Sequence, residues 1–397
     1  MDIPLPDSLS EVITDGILGQ FSVDQVFAAE LGKVTGVEFN FTSATELEVR
    51  INRAHGAPFE TTGDVVAWIT GEKLEWVSER GAEIKIPELQ GTQPLDDDLI
   101  PAIRTLYRNL PAFIAPLRDG RKALVIIECE PTTFDVRRCL IEGLPRLKPS
   151  MDQRRALASY AAFLNLGIRF DTNRIAFSDG TSVLLRNGRP CEIAGGLGLR
   201  DVRADSAFMS AEHQLLFDAI TPSHDVTFDP ATNTAVVAKE HHAKAIPLAV
   251  IDGSRWVWSW SLQELNGHAT DGLARFGFDN GLFPLTIAEI TVADAKDLNL
   301  IDVAKQVLHV WTHAFVQQDD GTTVVLLLDH PRLHLPPATY AAIEATLYQP
   351  LSPDLDARRA VASYAAQRNV EFDGYAITVD NQHVNVEFNG EKISRVS

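Results

Sequence analysis

Asp152-Gln-Arg-Arg-Ala-Leu-Ala-Ser-Tyr-Ala-Ala162 returns as Asp356-Ala-Arg-Arg-Ala-Val-Ala-Ser-Tyr-Ala-Ala366, with nine of eleven positions identical. Two stretches this alike in one chain mark a repeated unit of domain size. Aligning outward from them divides the sequence into an N-terminal extension (1–20), copy one (21–193), a linker (194–206) and copy two (207–397). The expected fold class is α+β: two tandem pseudo-equivalent domains, each an antiparallel sheet with helices packed on one face. Two copies in one chain imitate a homodimer, so a pseudo-twofold interface between the copies, with a groove at the seam, is expected as well.

A chain of 397 residues exceeds one ordinary core and suits two domains of under two hundred residues each. Its apolar fraction of 45 % and charged fraction of 22 % are those of a globular protein. The net charge of −19 disfavours nucleic acid and anionic membrane as partners, since both need a positive footprint. No apolar run is long enough to span a bilayer, and Met1–Gln20 carries acids and prolines where a signal peptide has basic and apolar stretches. The three cysteines, Cys129, Cys139 and Cys191, all fall in copy one, which excludes a shared disulfide framework and fits a reducing compartment. The location expected is the cytoplasm.

Periodicity supplies the elements. Met1–Gln20 reads as a short helix or ordered tail, and Phe21–Leu31 and Met209–Ile220 as amphipathic helices. Hairpins follow in each copy, around Asn40–Thr45 and Asp229–Asn233, and again through Gly71 and Gly253. The second alignment puts Leu74 beside Trp256 and Trp76 beside Trp258. Asp98–Pro116 and Asn299–Gln317 read as central helices, with Asp96–Asp98 and Asp297 at their positive ends. Buried-looking strands, Ala123–Ile127 and Val324–Leu328, come next and end on an acid, Glu128 or Asp329. Proline-bounded segments (Pro131–Pro149 and Pro331–Pro353) lead to the repeated helices, each followed by two more strands. The Ala194-Gly-Gly-Leu-Gly198 run lacks the strand–loop–helix setting and the Lys-Ser/Thr of a phosphate loop, so it reads as linker.

Four groups of side chains are candidates for a site. Trp256, Trp258 and Trp260 stand at i, i+2 and i+4, so on a strand all three project from one face, either into the core or as an aromatic platform. Arg154, Arg155, Arg358 and Arg359 could hold an anion or pair with nearby carboxylates such as Asp152 and Asp356. Glu128 and Asp329 are acids shared by the copies at a strand's C-terminal end. Ten of eleven histidines lie in copy two, and His309, His313, His330 and His334 have spacings that could surround a zinc ion if the first two share a helix face. No nucleophile elbow, Walker loop or dinucleotide glycine pattern is present, and no cofactor is implied.

Gly253-Ser-Arg-Trp-Val-Trp-Ser-Trp260, then Leu273-Ala-Arg-Phe-Gly277 and Leu285-Thr286, resemble an uncharacterised group of bacterial domains of unknown function. That group carries a Trp-x-Trp-x-Trp strand after a small turn. The resemblance covers copy two; copy one keeps Gly71 and Trp76 and loses the triple tryptophan. It implies no activity. The repeat, the acidic charge and the lack of catalytic motifs lead to a non-enzymatic adaptor that binds a protein or peptide. The competing expectation is a metal-dependent or carboxylate hydrolase centred on copy two.

Overall fold

The computed structural model describes residues 3–129, 133–148, 150–223, 225–265 and 267–397. Pro131 and Pro149, the ends of one expected segment, lie outside them; the Val136–Gly143 helix falls between. The chain divides into two compact units, the first ending at Ile193 and the second running from Ala194 to Ser397.

Each unit opens on a long helix, Leu9–Leu31 or Leu199–Ile220. Both begin earlier than the periodicity predicts. Ser8 caps the first, its hydroxyl accepting from the Glu11 amide, and Asp201 reaches back to the Gly198 amide at the start of the second. The added turns bury Val12, Ile13 and Leu18 in one helix and Val202, Ala204 and Phe208 in the other. Acids between these apolar positions hide the pattern from a reading of the sequence. The charged part of the expected linker, from Leu199 to Ser206, is therefore helix. Leu197, just before it, donates its amide to the Asn280 side chain at 3.1 Å.

The first unit then builds β1 (Val34–Phe41), β2 (Glu46–Arg53), β3 (Phe59–Thr70), β4 (Lys73–Trp76), β5 (Thr92–Pro94), β6 (Ala112–Pro116) and β7 (Lys122–Ile127). All pair antiparallel in one seven-stranded sheet: β2 and β4 share one edge of the long β3, and β7 takes the other. A smaller sheet follows, in the order β11-β10-β9-β8, from β8 (Ile168–Phe170), β9 (Arg174–Phe177), β10 (Ser182–Arg186) and β11 (Arg189–Ile193).

The second unit repeats this plan. Its large sheet contains β12 (Val226–Asp229), β13 (Thr234–Val237), β14 (His241–Asp252), β15 (Arg255–Trp258), β16 (Glu289–Thr291), β17 (Thr312–Gln317) and β18 (Thr323–Asp329). Its small sheet contains β19 (Glu371–Phe372), β20 (Ala376–Val379), β21 (Gln382–Asn389) and β22 (Lys392–Val396). The agreement extends to defects. β3 slips register against β7 between Val65 and Ala67, and β14 slips against β18 between Pro247 and Ala249. Ala67 faces Trp76 as Ala249 faces Trp258. The fold is thus two similar α+β halves.

Two expectations fail. The expected central helices stop at Leu106 and Leu308; Arg108, Asn109 and His309 turn left-handed, and the chain returns as β6 and β17. Strand pairing with β7 and β18 overrides the local helical spacing there. Each unit also ends in four strands rather than two, because Asp171–Asn173, Asn187–Gly188 and their counterparts break the run into tight turns.

The long helix joins two cores. In the second unit, its start packs Ala204, Phe208 and Met209 against Val361, Tyr364 and the small sheet. Its end packs Phe217 onto Ala235, Val237, Val324 and Leu326 of the large sheet. In β7 all five residues from Ala123 to Ile127 are buried, so the middle of that sheet is covered on both faces.

The repeated helices, Gln153–Phe163 and Ala357–Gln367, lie against the long helices. Asp152 and Asp356 cap them, each accepting the next two arginine amides. Small residues such as Ala156, Ala158 and Ala161 bring the backbones close. Arg155 grips Asp15 with Nε and Nη2, both at 2.7 Å, and Arg359 grips Asp205 at 2.8 and 2.7 Å. The fork is less exposed in the first unit, where the side chains are 11 % and 15 % accessible, against 35 % and 17 %. Arg155→Ala leaves a nearly buried carboxylate unpaired and is expected to destabilise the first unit by about 3 kcal/mol. Arg359→Ala is expected to remove about half as much from the second, since water reaches that guanidinium. Hydrogen exchange read separately in the two units measures both; equal losses would sink the role given to burial.

Candidate functional site

A cleft of about 640 Å³ opens in the first unit, lined by Phe59, Thr61, Arg108, Leu110, Glu128, Cys129, Phe134 and Phe163. Four elements converge on it. Phe59 and Thr61 begin β3, Glu128 and Cys129 follow β7, and Phe163 ends the repeated helix. The loop after Leu106 supplies Arg108 and Leu110. The Thr61 hydroxyl donates to the Glu128 carbonyl at 2.6 Å, and the Glu128 amide donates to Thr62 at 3.0 Å, so the acid is fixed by its backbone.

The loop is held from beneath. Arg104 forks onto Asp24 at 3.0 and 2.6 Å and also donates to the Leu110 and Asn109 carbonyls. Asn109 is buried and left-handed, φ 64°. A Cβ on Gly19 would come within 2.2 Å of the Asn109 Nδ2, so glycine in the long helix makes room for this side chain.

The cleft is apolar within and charged at its mouth. Phe134 and Phe163 meet edge to face at 5.5 Å, and Phe59 leans on Phe27 at 5.7 Å. Arg108 and Glu128 are exposed, and among the described residues neither charged group has a hydrogen-bond or ion-pair partner. Burial, then the charge of Glu30, pushes the Cys129 thiol up to about 11, so at neutral pH it is not a thiolate nucleophile.

Strand register finds the equivalent place in the second unit. Gly63 opposite Ile127 corresponds to Ala245 opposite Leu328, so Phe59 becomes His241, Glu128 becomes Asp329 and Cys129 becomes His330. By the same count Arg108 becomes His309. His241 stacks on His330 at 5.5 Å, and the His334 Nε2–H donates to Asp329 at 2.8 Å. His309 ends its helix in a left-handed turn and His313 lies in β17, so the expected shared helix face does not form. Among the described residues no three His, Cys, Asp or Glu side chains are placed to hold a metal ion.

The other sequence candidates serve the interior or the helix surface. Trp256 and Trp258 are 2 % and 0 % exposed, stacked edge to face at 5.3 Å, and the Trp258 indole donates to the Pro284 carbonyl at 2.8 Å. Trp260 lies in the 3-10 turn Ser259–Ser261, so the three indoles do not share a strand face. Arg154 covers Phe170 at 4.6 Å and Arg358 covers Phe388 at 4.4 Å, while Arg155 and Arg359 pair with the long helices rather than with Asp152 and Asp356. Of the singled-out residues, only Glu128 lines the cleft.

Residues 200–331 match a family of unknown function, DUF6882. That span takes in the second long helix and the second large sheet, and it ends before the repeated helix. No curated protein and no solved structure matches the chain.

The second unit also buries a polar network that single-residue spacing did not signal. The Lys305 ammonium, fully buried, donates to Ser210 at 2.6 Å and lies 3.4 Å from Asp302; burial lowers its pKa. Glu212 accepts from the Tyr364 hydroxyl at 2.8 Å and faces Arg368 at 3.0 Å; burial raises its pKa. None of these groups is among the residues that line the cleft. His213 donates from Nδ1 to the Met209 carbonyl at 3.0 Å and stacks on Trp311. Burial first, then the charges of Lys305, Arg368 and His334, lower its pKa from 6.5 to about 4. The folded value lies below the unfolded one, so the neutral ring contributes stability above pH 6.5 that is lost as pH falls towards 4. Up to about 3 kcal/mol is at stake. His213→Phe is expected to flatten the second unit's stability profile across that window; an unchanged slope in chemical denaturation would remove His213 as its cause.

Proposed function

We propose that the chain is a non-enzymatic cytoplasmic adaptor, built from two fused and diverged copies of one domain, that holds a peptide segment of a partner protein in the Phe59–Phe163 cleft. The observation that carries this reading is the cleft's composition. Half-buried phenyl rings leave apolar surface for a partner's side chain to cover, and Arg108 and Glu128 stand at the mouth with opposite, unneutralised charges. An apolar side chain inserts between the rings, and flanking charged groups of the partner engage the arginine and the glutamate. The volume of about 640 Å³ suits one large side chain and its neighbours. A high thiol pKa at Cys129, and Glu128 as the one carboxylate among the described lining residues, support binding over covalent or paired-acid chemistry. Identical strand order and matched register slips support the fused-copy reading.

Selection of a random peptide library on the intact chain tests the proposal. Enriched peptides are expected to share an aromatic or branched apolar residue beside charged ones. Their affinity should fall at least about tenfold for the Arg108→Gln, Glu128→Gln double variant, since charged hydrogen bonds contribute about 1.5–3 kcal/mol each. Both positions are exposed, so the fold is retained. Peptides that bind the double variant unchanged, or a library that yields none, would overturn it.

A further inference from the structure

The small sheets end on strands of the same register and opposite character. β11 pairs with β10 through Arg189–Arg186, Pro190–Leu185, Glu192–Leu184 and Ile193–Val183. β22 pairs with β21 through Lys392–Asn389, Ile393–Phe388, Arg395–Glu387 and Val396–Val386, with the slip at the same place. Pro190 therefore corresponds to Ile393, and Glu192 to Arg395. In the first unit the Val136–Gly143 helix packs on β11, and a proline without an N–H stands in the edge strand. In the second, the Ala357–Gln367 helix likewise contacts the last strand, but β22 has no proline and, among the described residues, pairs with β21 alone.

The outward face of β22 can be read from the ladder. The Asn385 and Ser397 amides exchange hydrogen bonds with each other's carbonyls. Alternation then turns the neighbouring Val396 outward, and its carbonyl does accept the Tyr348 hydroxyl at 3.0 Å from that side. At the hairpin end, Ile393 follows the closing Asn389–Lys392 pair and likewise turns its N–H and carbonyl away from β21. Pro190 is tolerated at this register for the same reason: its nitrogen faces no partner.

Alongside this edge runs a groove of about 350 Å³, floored by Leu347, Leu351, Leu355 and Ile393 and walled by the Gln349–Pro353 segment. Lys392 and Arg395 are exposed on it, while Glu391 is engaged by Arg200. Arg395 is 67 % exposed and its one ion pair among the described residues, to Glu387, is 4.0 Å long, so its charge is open to a partner. A basic edge on a chain of net charge −19 is local and selective.

We propose that β22 accepts an extended, acidic peptide segment of a partner protein as a fifth strand. The segment's main chain bonds to the N–H and carbonyl of Ile393, alternate apolar side chains enter the Leu351–Leu355 groove, and its carboxylates meet Lys392 and Arg395. This surface belongs to the second unit, and its argument is independent of the phenylalanine cleft.

The probe is an end-blocked hexapeptide alternating glutamate and valine, with the lysine–valine peptide as its control, added to the full chain. The acidic peptide is expected to slow amide exchange in the segment 391–397 and to bind at least about tenfold more tightly than the basic one. Ile393→Pro copies what β11 already carries and should weaken binding at least tenfold; Ile393→Val should not. The Lys392→Glu, Arg395→Glu double variant, altered only at exposed side chains, should exchange the preference for the basic peptide. It decides the matter even if the proline variant misfolds. Lack of protection by the acidic peptide, equal binding of the two peptides, or a preference unmoved by charge reversal overturns the proposal. Because none of these variants touches Arg108 or Glu128, failure here is distinct from failure of the cleft.

Discussion

The fork between Arg155 and Asp15, repeated between Arg359 and Asp205, is the constraint on which each unit's interior depends. A flat guanidinium meeting a carboxylate through two parallel bonds fixes both distance and rotation between the helices. Alanines on the repeated helix allow that approach, and the buried tyrosine completes it. Tyr160 meets Ser22 at 2.7 Å, and Tyr364 meets Glu212 at 2.8 Å. A desolvated ion pair is weak evidence for net stability, but breaking one is costly. Its main consequence is geometric: with the helix fixed, Phe163 at its end is delivered to the cleft.

The two units share a backbone plan and differ in what it presents. Strand order, register slips and the left-handed turn after the central helix persist in both units. At the sheet end, phenylalanine, cysteine and arginine in the first unit stand where the second has three histidines. Inside the second unit, the positions equivalent to Gln20, Ser22 and Val23 carry Ser210, Glu212 and His213 and collect Lys305 and Arg368 around them. The concentration of histidine in one copy thus reflects surface and interior replacements spread over a shared frame. It does not follow from a single ligand cage.

What could be read from the chain was what local pattern determines. Hairpins with glycine at the turn have matching strands, and the arginine–serine–tyrosine helix repeats residue for residue. β6 and β17 escaped because their short apolar runs fit a helix equally well until β7 and β18 offer a pairing edge. The long helices were read too short because Asp15 and Asp205, inward-facing acids, look like surface residues until their arginines are in place. For the cleft, Glu128 was legible since both halves have an acid after the buried strand. Arg108, Phe134 and Phe163 are far apart in sequence and converge only through the fold. The tryptophan run pointed correctly to a strand, yet the chain turns at Ser259, and burial, not spacing, decides what its first two indoles do.

Strand edges show how far a pair of similar domains can part without refolding. An outermost strand must either discourage pairing or use it. β11 discourages it: a proline removes the outward donor and a glutamate sits beside it. At the same register β22 restores the donor through Ile393 and replaces the acid with Arg395. The first exchange leaves the ladder to the inner strand intact because the Ile393 N–H is turned away from it, and the second changes an exposed side chain rather than the backbone. At the sheet end, too, Cys129 and Arg108 and the histidines in their places lie just past the strands that the two units have in common. In both places the outward positions carry the differences, while the inward positions that specify the fold are held in common.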